Sequence, residues 1–247
     1  MESEKAELIC AEHVTKVFGD SFLAVDHMDF CVRAGEIVGF VGQNGAGKTT
    51  MIKMLTGILN ATEGKITICG RDIAREPLAA KRSIGYIADN PDIFLRLTGL
   101  EFINLMADIY GISKEERIER IEELTEDFEV KQVLDRPMSE YSHGMRQKMM
   151  VVAALVHNPP VWILDEPMTG LDPGAAFALK KRMRKHAEEG NCVFFSTHVL
   201  EVAEQLCDRI LMVRKGQLVY GGTLEALMQS YPERSLEEIF MLINEEA

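Results

Sequence analysis

The segment Gly42-Gln43-Asn44-Gly45-Ala46-Gly47-Lys48-Thr49-Thr50 decides how this chain folds. It follows an apolar run at residues 36–41, precedes a helical stretch at residues 51–55, and matches the P-loop pattern G-x-x-x-x-G-K-[ST] in full. Glycines in such a loop let backbone N–H groups turn toward phosphate oxygens, Lys48 can reach the β and γ phosphates, and the Thr49 hydroxyl suits Mg²⁺. The predicted nucleotide contacts are therefore Gly42, Asn44, Gly45, Ala46, Gly47, Lys48, Thr49 and Thr50. The motif alone does not separate an ATPase from a kinase or a GTPase.

A second apolar strand, at residues 161–164, ends in the two acids Asp165 and Glu166. An unpaired buried carboxylate is costly, so paired acids at the end of a buried strand indicate a cation or another partner. We expect Asp165 to hold Mg²⁺, directly or through water, and Glu166 to polarise an attacking water. A P-loop kinase would present a substrate hydroxyl there instead, and two solvated acids at a strand end are the purely structural alternative.

Apolar runs alternate with helical stretches along the chain, as expected for a parallel sheet covered by helices on both faces. The clearest of these runs are residues 36–41, 161–164 and 191–196. Further β-rich pieces at residues 8–32 and 64–69, with turn residues between them, predict a small antiparallel sheet attached to the main one.

From about residue 91 to residue 158 the pattern becomes helical, and one predicted helix places Ile118, Ile121 and Leu124 on a common face. We therefore predict an α/β fold. It has a P-loop NTPase core with a mostly parallel sheet, an attached antiparallel β-subdomain and an inserted helical subdomain, all within a single domain of residues 1–247.

The composition excludes several classes of function. The net charge of -12 would repel a phosphate backbone, so no nucleic-acid partner is expected. The basic run at residues 180–185 is interpreted as a solvated helix face rather than a phosphate-binding patch. No apolar run approaches the roughly 18 residues that cross a bilayer.

The cysteines and the first residues predict a reduced, cytosolic protein. The five cysteines show no CxxC pairing, so neither a disulfide framework nor a zinc site is expected. Residues 1–5 lack the apolar core of a signal peptide.

With these motifs in place, the chain resembles the nucleotide-binding domain of ABC transporters, from about Leu8 to the C-terminal helix. Residues 141–147, Tyr-Ser-His-Gly-Met-Arg-Gln, stand where that family carries its LSGGQ signature, although His143 and Met145 depart from it. Ser142 and Gly144 at a helix start suit a γ-phosphate bound by another subunit. A simple helix N-cap is the alternative for Ser142.

The resemblance implies further roles. Residues 169–172 resemble the D-loop that couples the two sites of a dimer, and His198 resembles the switch histidine that contacts the γ-phosphate. Phe18 falls where the family stacks an aromatic ring on adenine, and a core phenylalanine is the alternative. Asp89 replaces the glutamine that senses Mg²⁺ and the attacking water in most members; a carboxylate can still bind the metal, although it cannot donate a hydrogen bond while ionised.

The resemblance implies the ATP-binding and ATP-hydrolysing subunit of an ABC transporter. It would energise a separately encoded membrane permease, and residues 141–144 with Asp89 favour an exporter. The implied cofactors are ATP and Mg²⁺, and the implied assembly is a head-to-tail homodimer, peripheral to the cytoplasmic face of the cell membrane through its permease. The expected catalytic residues are Glu166, His198 and Lys48, and the expected metal ligands are Thr49, Asp165 and Asp89.

Two rival functions remain at this point. A soluble ABC ATPase acting on nucleic acid or ribosomes would usually show two cassettes, a coiled-coil insert or zinc-binding cysteines. A P-loop kinase for a small metabolite would not explain the signature segment together with His198. ATP turnover without an added phosphoryl acceptor separates the ATPases from the kinase.

Overall fold

The computed structural model describes residues 5–90 and 94–246, with side chains described as far as residue 243. Residues 1–4, most of the segment interpreted as lacking a signal peptide, and residues 91–93, at the predicted start of the helical insert, lie outside the described residues. The strands are β1 Glu7–Phe18, β2 Phe22–Arg33, β3 Ile37–Val41, β4 Glu63–Ile68, β5 Arg71–Asp72, β6 Ile84–Ile87, β7 Val161–Leu164, β8 Cys192–Thr197, β9 Arg209–Arg214 and β10 Gln217–Thr223. The α-helices are α1 Lys48–Leu55, α2 Pro77–Lys81, α3 Gly99–Tyr110, α4 Lys114–Asp127, α5 His143–Leu155, α6 Pro173–Glu188, α7 Leu200–Leu206, α8 Leu224–Ser230 and α9 Leu236–Glu246.

The main sheet has six strands in the order β10-β9-β3-β8-β7-β6. Five of them run parallel, and β10 alone is antiparallel to its neighbour β9. Every residue of β3, β7 and β8 is buried, which explains why these strands read as continuous apolar runs rather than as alternating ones. The predicted mostly parallel core is confirmed, and its strand β3 leads into the loop that precedes α1.

A second sheet, in the order β2-β1-β4-β5, is wholly antiparallel, as predicted. Its register places Cys10 directly opposite Cys31, and the structure joins them in a disulfide. The expectation of unpaired cysteines was therefore wrong for these two. Their sequence separation of 21 gave no local sign of a pairing that antiparallel register creates, since opposed residues bring their Cβ atoms within about 5.5 Å.

Helices α3, α4 and α5 lie between β6 and β7 in the chain and share one apolar cluster with the face of the main sheet that they cover. On α4, Leu124 is buried and Ile121 partly buried, but Ile118 is 67% exposed, so the predicted common apolar face was wrong for that residue. The side chains on this face of α4 therefore become more exposed toward the N-terminal end of the helix. Among the described helices, none combines the length and the apolarity needed to cross a membrane.

The basic run at residues 180–185 is not a solvated face throughout. Arg182 on α6 is buried, and its Nη1 lies 2.7 Å from Glu123 and 3.5 Å from Asp127, both on α4. Lys185 also binds Glu123, at 2.7 Å. The expectation was wrong for Arg182 because tertiary packing supplies acids from α4, which the sequence of α6 alone does not show.

Beneath β7, His186 of α6 is fully buried, with its ring edge-on to Trp162 at a centroid distance of 5.5 Å. Burial, reinforced by the nearby charge of Arg182, lowers the pKa of His186 from 6.5 to about 4. Between these pH values His186 is therefore protonated in the unfolded chain and neutral in the folded chain. The free energy of unfolding therefore falls as the pH drops from about 6.5 toward 4. Above pH 6.5, His186 does not destabilise the folded chain in this way.

We expect His186→Phe to reduce the loss of unfolding free energy between pH 7 and pH 5 by about 2 kcal/mol, because it removes this proton uptake. Urea unfolding at both pH values measures the change in the free energy of unfolding. A packing defect caused by the substitution affects both values equally and cancels in this difference. His13→Gln, at a largely exposed histidine, is the control. If His186→Phe lost as much unfolding free energy between pH 7 and pH 5 as the wild type, His186 would not be the source of this pH dependence.

Candidate active site

The P-loop connects β3 to α1 through a left-handed turn. Gly47, the residue before α1, has φ of 103°, and a Cβ there would lie 2.5 Å from the carbonyl oxygen of Ala24. A side chain at Gly42 would likewise meet the carbonyl oxygen of Val213 at 2.5 Å. Both positions require glycine, because the loop is pressed against the neighbouring backbone. The loop thus keeps the compact path that its sequence predicts.

Lys48 begins α1 and turns back into the loop. Its side chain is only 6% exposed, and its Nζ donates to the carbonyl oxygen of Gly42 at 2.7 Å. The same Nζ lies 3.4 Å from Oε1 of Glu166. The two residues predicted from separate motifs therefore form one buried ion pair at the end of the sheet.

Asp165 and Glu166 leave the C-terminal end of β7 in different directions. Asp165 is 2% exposed, and its Oδ1 accepts a 2.6 Å hydrogen bond from Ser196 Oγ. Ser196 Oγ in turn accepts from the backbone N–H of Glu166, at 2.9 Å. Ser196, at the end of β8, orients both acids, a role that its place in the sequence did not reveal.

Glu166 is bound from a second side by His198, which follows β8. The Nδ1 of His198 donates to Oε2 of Glu166 at 2.9 Å, since an ionised carboxylate can only accept. The carboxylate of Glu166, 16% exposed, is thus held between Lys48 and His198. This arrangement can take a proton from a water molecule and can place the ammonium of Lys48 beside a phosphate.

A cavity of about 540 Å³ opens over the P-loop. The predicted residues that line it are Asn44, Gly45, Gly47, Lys48, Thr49, Thr50, Asp89 and Glu166. Asp89 therefore faces the same space as the P-loop. The pKa of Tyr86 is raised to about 12, mainly because the phenol is buried. The nearby carboxylates of Asp165 and Asp89 raise it further.

The aromatic side of the cavity differs from the expectation. Phe22, on β2, lines the cavity and is 66% exposed, while Phe18 is not among the described residues that line it. The two rings lie 6.5 Å apart, because β-pairing places Phe18 opposite Phe22 across the β1–β2 hairpin. The hairpin spacing was the signal in the sequence that could have pointed to Phe22.

The signature segment lies at the start of α5. Ser142 caps this helix, and its Oγ accepts from the backbone N–H of Met145 at 3.3 Å. Neither Ser142 nor Gly144 is among the described residues that line the P-loop cavity of the same chain. The structure thus brings together the P-loop, Asp89, Glu166 and His198, and leaves the signature outside that group.

Comparison with known proteins identifies the family of this chain. A family model described as ABC transporter matches residues 25–169, which is more than half of the chain. The chain belongs to the ABC transporter family. ABC proteins with solved structures include one described as an ATP binding subunit of an ABC transporter, with a TM-score of 0.92 and 33% identity over 96% of this chain and 99% of that one.

Curated ABC relatives match most of the chain. The ABC transporter ATP-binding protein NatA of Bacillus subtilis is 34% identical, covering 88% of this chain and 89% of its own length. The Nod factor export ATP-binding protein I of Burkholderia lata is 34% identical, covering 88% of this chain and 71% of its own length. ABC ATPase domains bind ATP, and membership of the family confirms the P-loop NTPase fold.

Proposed function

We propose that this chain is the ATP-hydrolysing subunit of an ABC transporter, a single nucleotide-binding domain of residues 1–247 that energises a separately encoded membrane permease. The observation that carries the proposal is the position of Glu166, held between Lys48 and His198 at the P-loop cavity. A carboxylate placed there can take the proton of a water that attacks the γ-phosphate.

The remaining residues follow from their positions around the cavity. The P-loop N–H groups and Lys48 bind the phosphates, and His198 contacts the γ-phosphate. The ammonium of Lys48 forms an ion pair with Glu166 and donates to two loop carbonyl oxygens. A phosphate bound in the cavity would pair with the ammonium of Lys48 in place of Glu166. The carboxylate of Glu166 is then free to accept a proton. Phe18 remains our proposed adenine contact, and Phe22, which lines the cavity, shares that surface.

The oxygen donors fit Mg²⁺. Thr49 and Asp89 line the cavity, and Asp165 keeps one carboxylate oxygen beyond the one bound by Ser196. Hydroxyl and carboxylate oxygens are the ligands that Mg²⁺ prefers, with phosphate oxygens and waters completing its shell. When bound, the metal would neutralise charge that develops on the transferred phosphoryl group.

We propose that two copies bind ATP head to tail. Ser142 and Gly144 do not reach the P-loop cavity of their own chain, so a phosphate contact from them needs a second chain. Closure of such a dimer around ATP would drive the permease, from a position at the cytoplasmic face of the membrane. An export direction is supported by the resemblance to the Nod factor export protein of Burkholderia lata and by residues 141–144.

Two other functions are tested by simple assays. A P-loop kinase would need a phosphoryl acceptor, whereas this chain should release phosphate from ATP alone. A soluble ABC ATPase would not co-purify with a membrane protein, whereas this chain should associate with its permease.

The composite site predicts that Ser142→Arg blocks ATP hydrolysis but leaves ATP binding nearly intact. The substitution places a bulky side chain at the phosphate of the partner's site and does not touch the P-loop of its own chain. Mixing Ser142→Arg chains with Lys48→Ala chains should restore part of the turnover, because one site of the mixed dimer then has an intact P-loop facing an intact signature. Phosphate release and nucleotide titration measure the two effects.

Crosslinking supplies the control for that mixture. Cysteines introduced at Ser142 and Gly45 should crosslink two chains only when ATP is present. Folded, ATP-binding variants that gave neither recovered turnover nor a crosslink would overturn the head-to-tail dimer.

A further inference from the structure

Glu166 has an unusual backbone. Its φ is 46°, in the left-handed region that residues other than glycine rarely occupy. Such a conformation costs about 1–3 kcal/mol and persists only where the surrounding structure holds it. The placement of the Glu166 carboxylate between Lys48 and His198 therefore depends on groups that fix the peptides on either side of this residue.

One such group lies on each side of Glu166. Before it in the chain, the Glu166 N–H donates to Ser196 Oγ at 2.9 Å. After it, Nε2 of Gln147 donates to the carbonyl oxygen of Pro167 at 3.2 Å. Gln147 is 2% exposed, so water does not compete for this hydrogen bond, and its loss would leave a buried carbonyl without its donor.

Gln147 belongs to α5, the helix that Ser142 caps. The first turn of the same helix also contacts the segment that follows Pro167: the ring of His143 lies over Gly170, where a Cβ would come 2.8 Å from Nδ1. Gly170 itself has φ of 75°. Helix α5 thus contacts the chain directly after Glu166 at two points, one turn of helix apart.

We propose that Gln147 is a positioning residue for ATP hydrolysis. Its hydrogen bond to Pro167 holds the left-handed backbone of Glu166 and ties the loop that carries Glu166 to the helix that presents Ser142. Movement of the signature helix on closure then moves the Glu166 loop with it. This inference rests on the proposed role of Glu166 as the general base.

A double-mutant cycle tests the proposal. Gln147→Met keeps the length of the side chain and removes the donor, so kcat should fall by about 10- to 100-fold, as expected for a base displaced by about 1 Å. KM for ATP should change little, because the P-loop is untouched. In the Glu166→Gln background the same substitution should cost less than about twofold, because groups that act as a unit are not additive. Single-turnover phosphate release measures all four chains.

Gln132→Met is the matched control. Gln132 lies in the same segment between β6 and β7 and also donates from Nε2 to a backbone carbonyl, that of Glu129 at 2.8 Å, but on the surface and far along the chain from Glu166. It should leave turnover unchanged. Gln147→Asn, which keeps the amide but shortens its reach, is measured in parallel and should reproduce the loss even if the methionine variant folds poorly.

The possible results separate cleanly. Normal kcat in both Gln147 variants, or an equal loss in the wild-type and Glu166→Gln backgrounds, would overturn the positioning role while leaving the proposed function in place. Equal turnover of the wild type and Glu166→Gln would instead overturn the role of Glu166, and with it this inference.

Discussion

We expect Glu166→Gln to slow ATP hydrolysis by about 10²- to 10⁴-fold, the loss typical of removing a general base, and to leave the affinity for ATP nearly unchanged. The amide keeps the size of the side chain, and its carbonyl oxygen can still accept a hydrogen bond from His198, so the geometry at the end of β7 is preserved. It cannot take a proton from water. The contact with Lys48 loses its charge, which frees the ammonium for phosphate.

Blocked hydrolysis should also trap the dimer. Steady-state phosphate release and nucleotide titration separate turnover from binding, and size-exclusion chromatography with MgATP should show Glu166→Gln as a dimer. Glu204→Gln, at an exposed acid on α7, controls for the change of charge. A Glu166→Gln chain that hydrolysed ATP at the wild-type rate and remained monomeric in saturating MgATP would contradict the proposed role.

We expect Lys48→Ala to lower kcat/KM for ATP by at least about 10²- to 10³-fold, because it deletes the P-loop point charge proposed to bind the β and γ phosphates. Lys48 is buried and has its partners within the loop and on Glu166. Phosphate release over a range of ATP concentrations, together with equilibrium binding of ATP, measures the effect.

Lys53→Ala, in the last turn of the same helix, is the control for Lys48→Ala and should hydrolyse ATP normally. Thermal unfolding separates a folded variant from a damaged one, since Lys48→Ala leaves the Glu166 carboxylate without its ammonium partner. Turnover close to that of the wild type in folded Lys48→Ala would refute the assignment of the P-loop.

The parts of the site that the sequence alone predicted are those set by local backbone chemistry. A glycine-rich loop between a buried strand and a helix has few conformations available, so its pattern predicted the compact P-loop that contains Gly42, Gly47 and Lys48. Asp165 and Glu166 were predicted as site residues because unpaired carboxylates at the end of a buried apolar strand are costly. The mostly parallel character of the main sheet was predicted because buried parallel strands have a distinctive composition, whereas the order of its strands came from the structure.

Other features depend on contacts between segments far apart in the chain, and only the tertiary structure decided them. Strand register set Cys10 against Cys31 and brought Phe22 to the cavity. Helix packing buried Arg182 against acids of α4.

Within the site, the sequence by itself determined the candidate residues of the P-loop and of the paired acids, because residue type and local spacing can be read along the chain. The tertiary structure decided how Glu166 is held: a left-handed backbone, Ser196 on one side, Gln147 on the other, and Lys48 and His198 at its carboxylate. The contacts to Ser196, Gln147 and His198 cross 30, 20 and 32 residues of sequence respectively, where short-range patterns carry no information. The loop after β7 takes its strained conformation because those long-range hydrogen bonds together offset its cost.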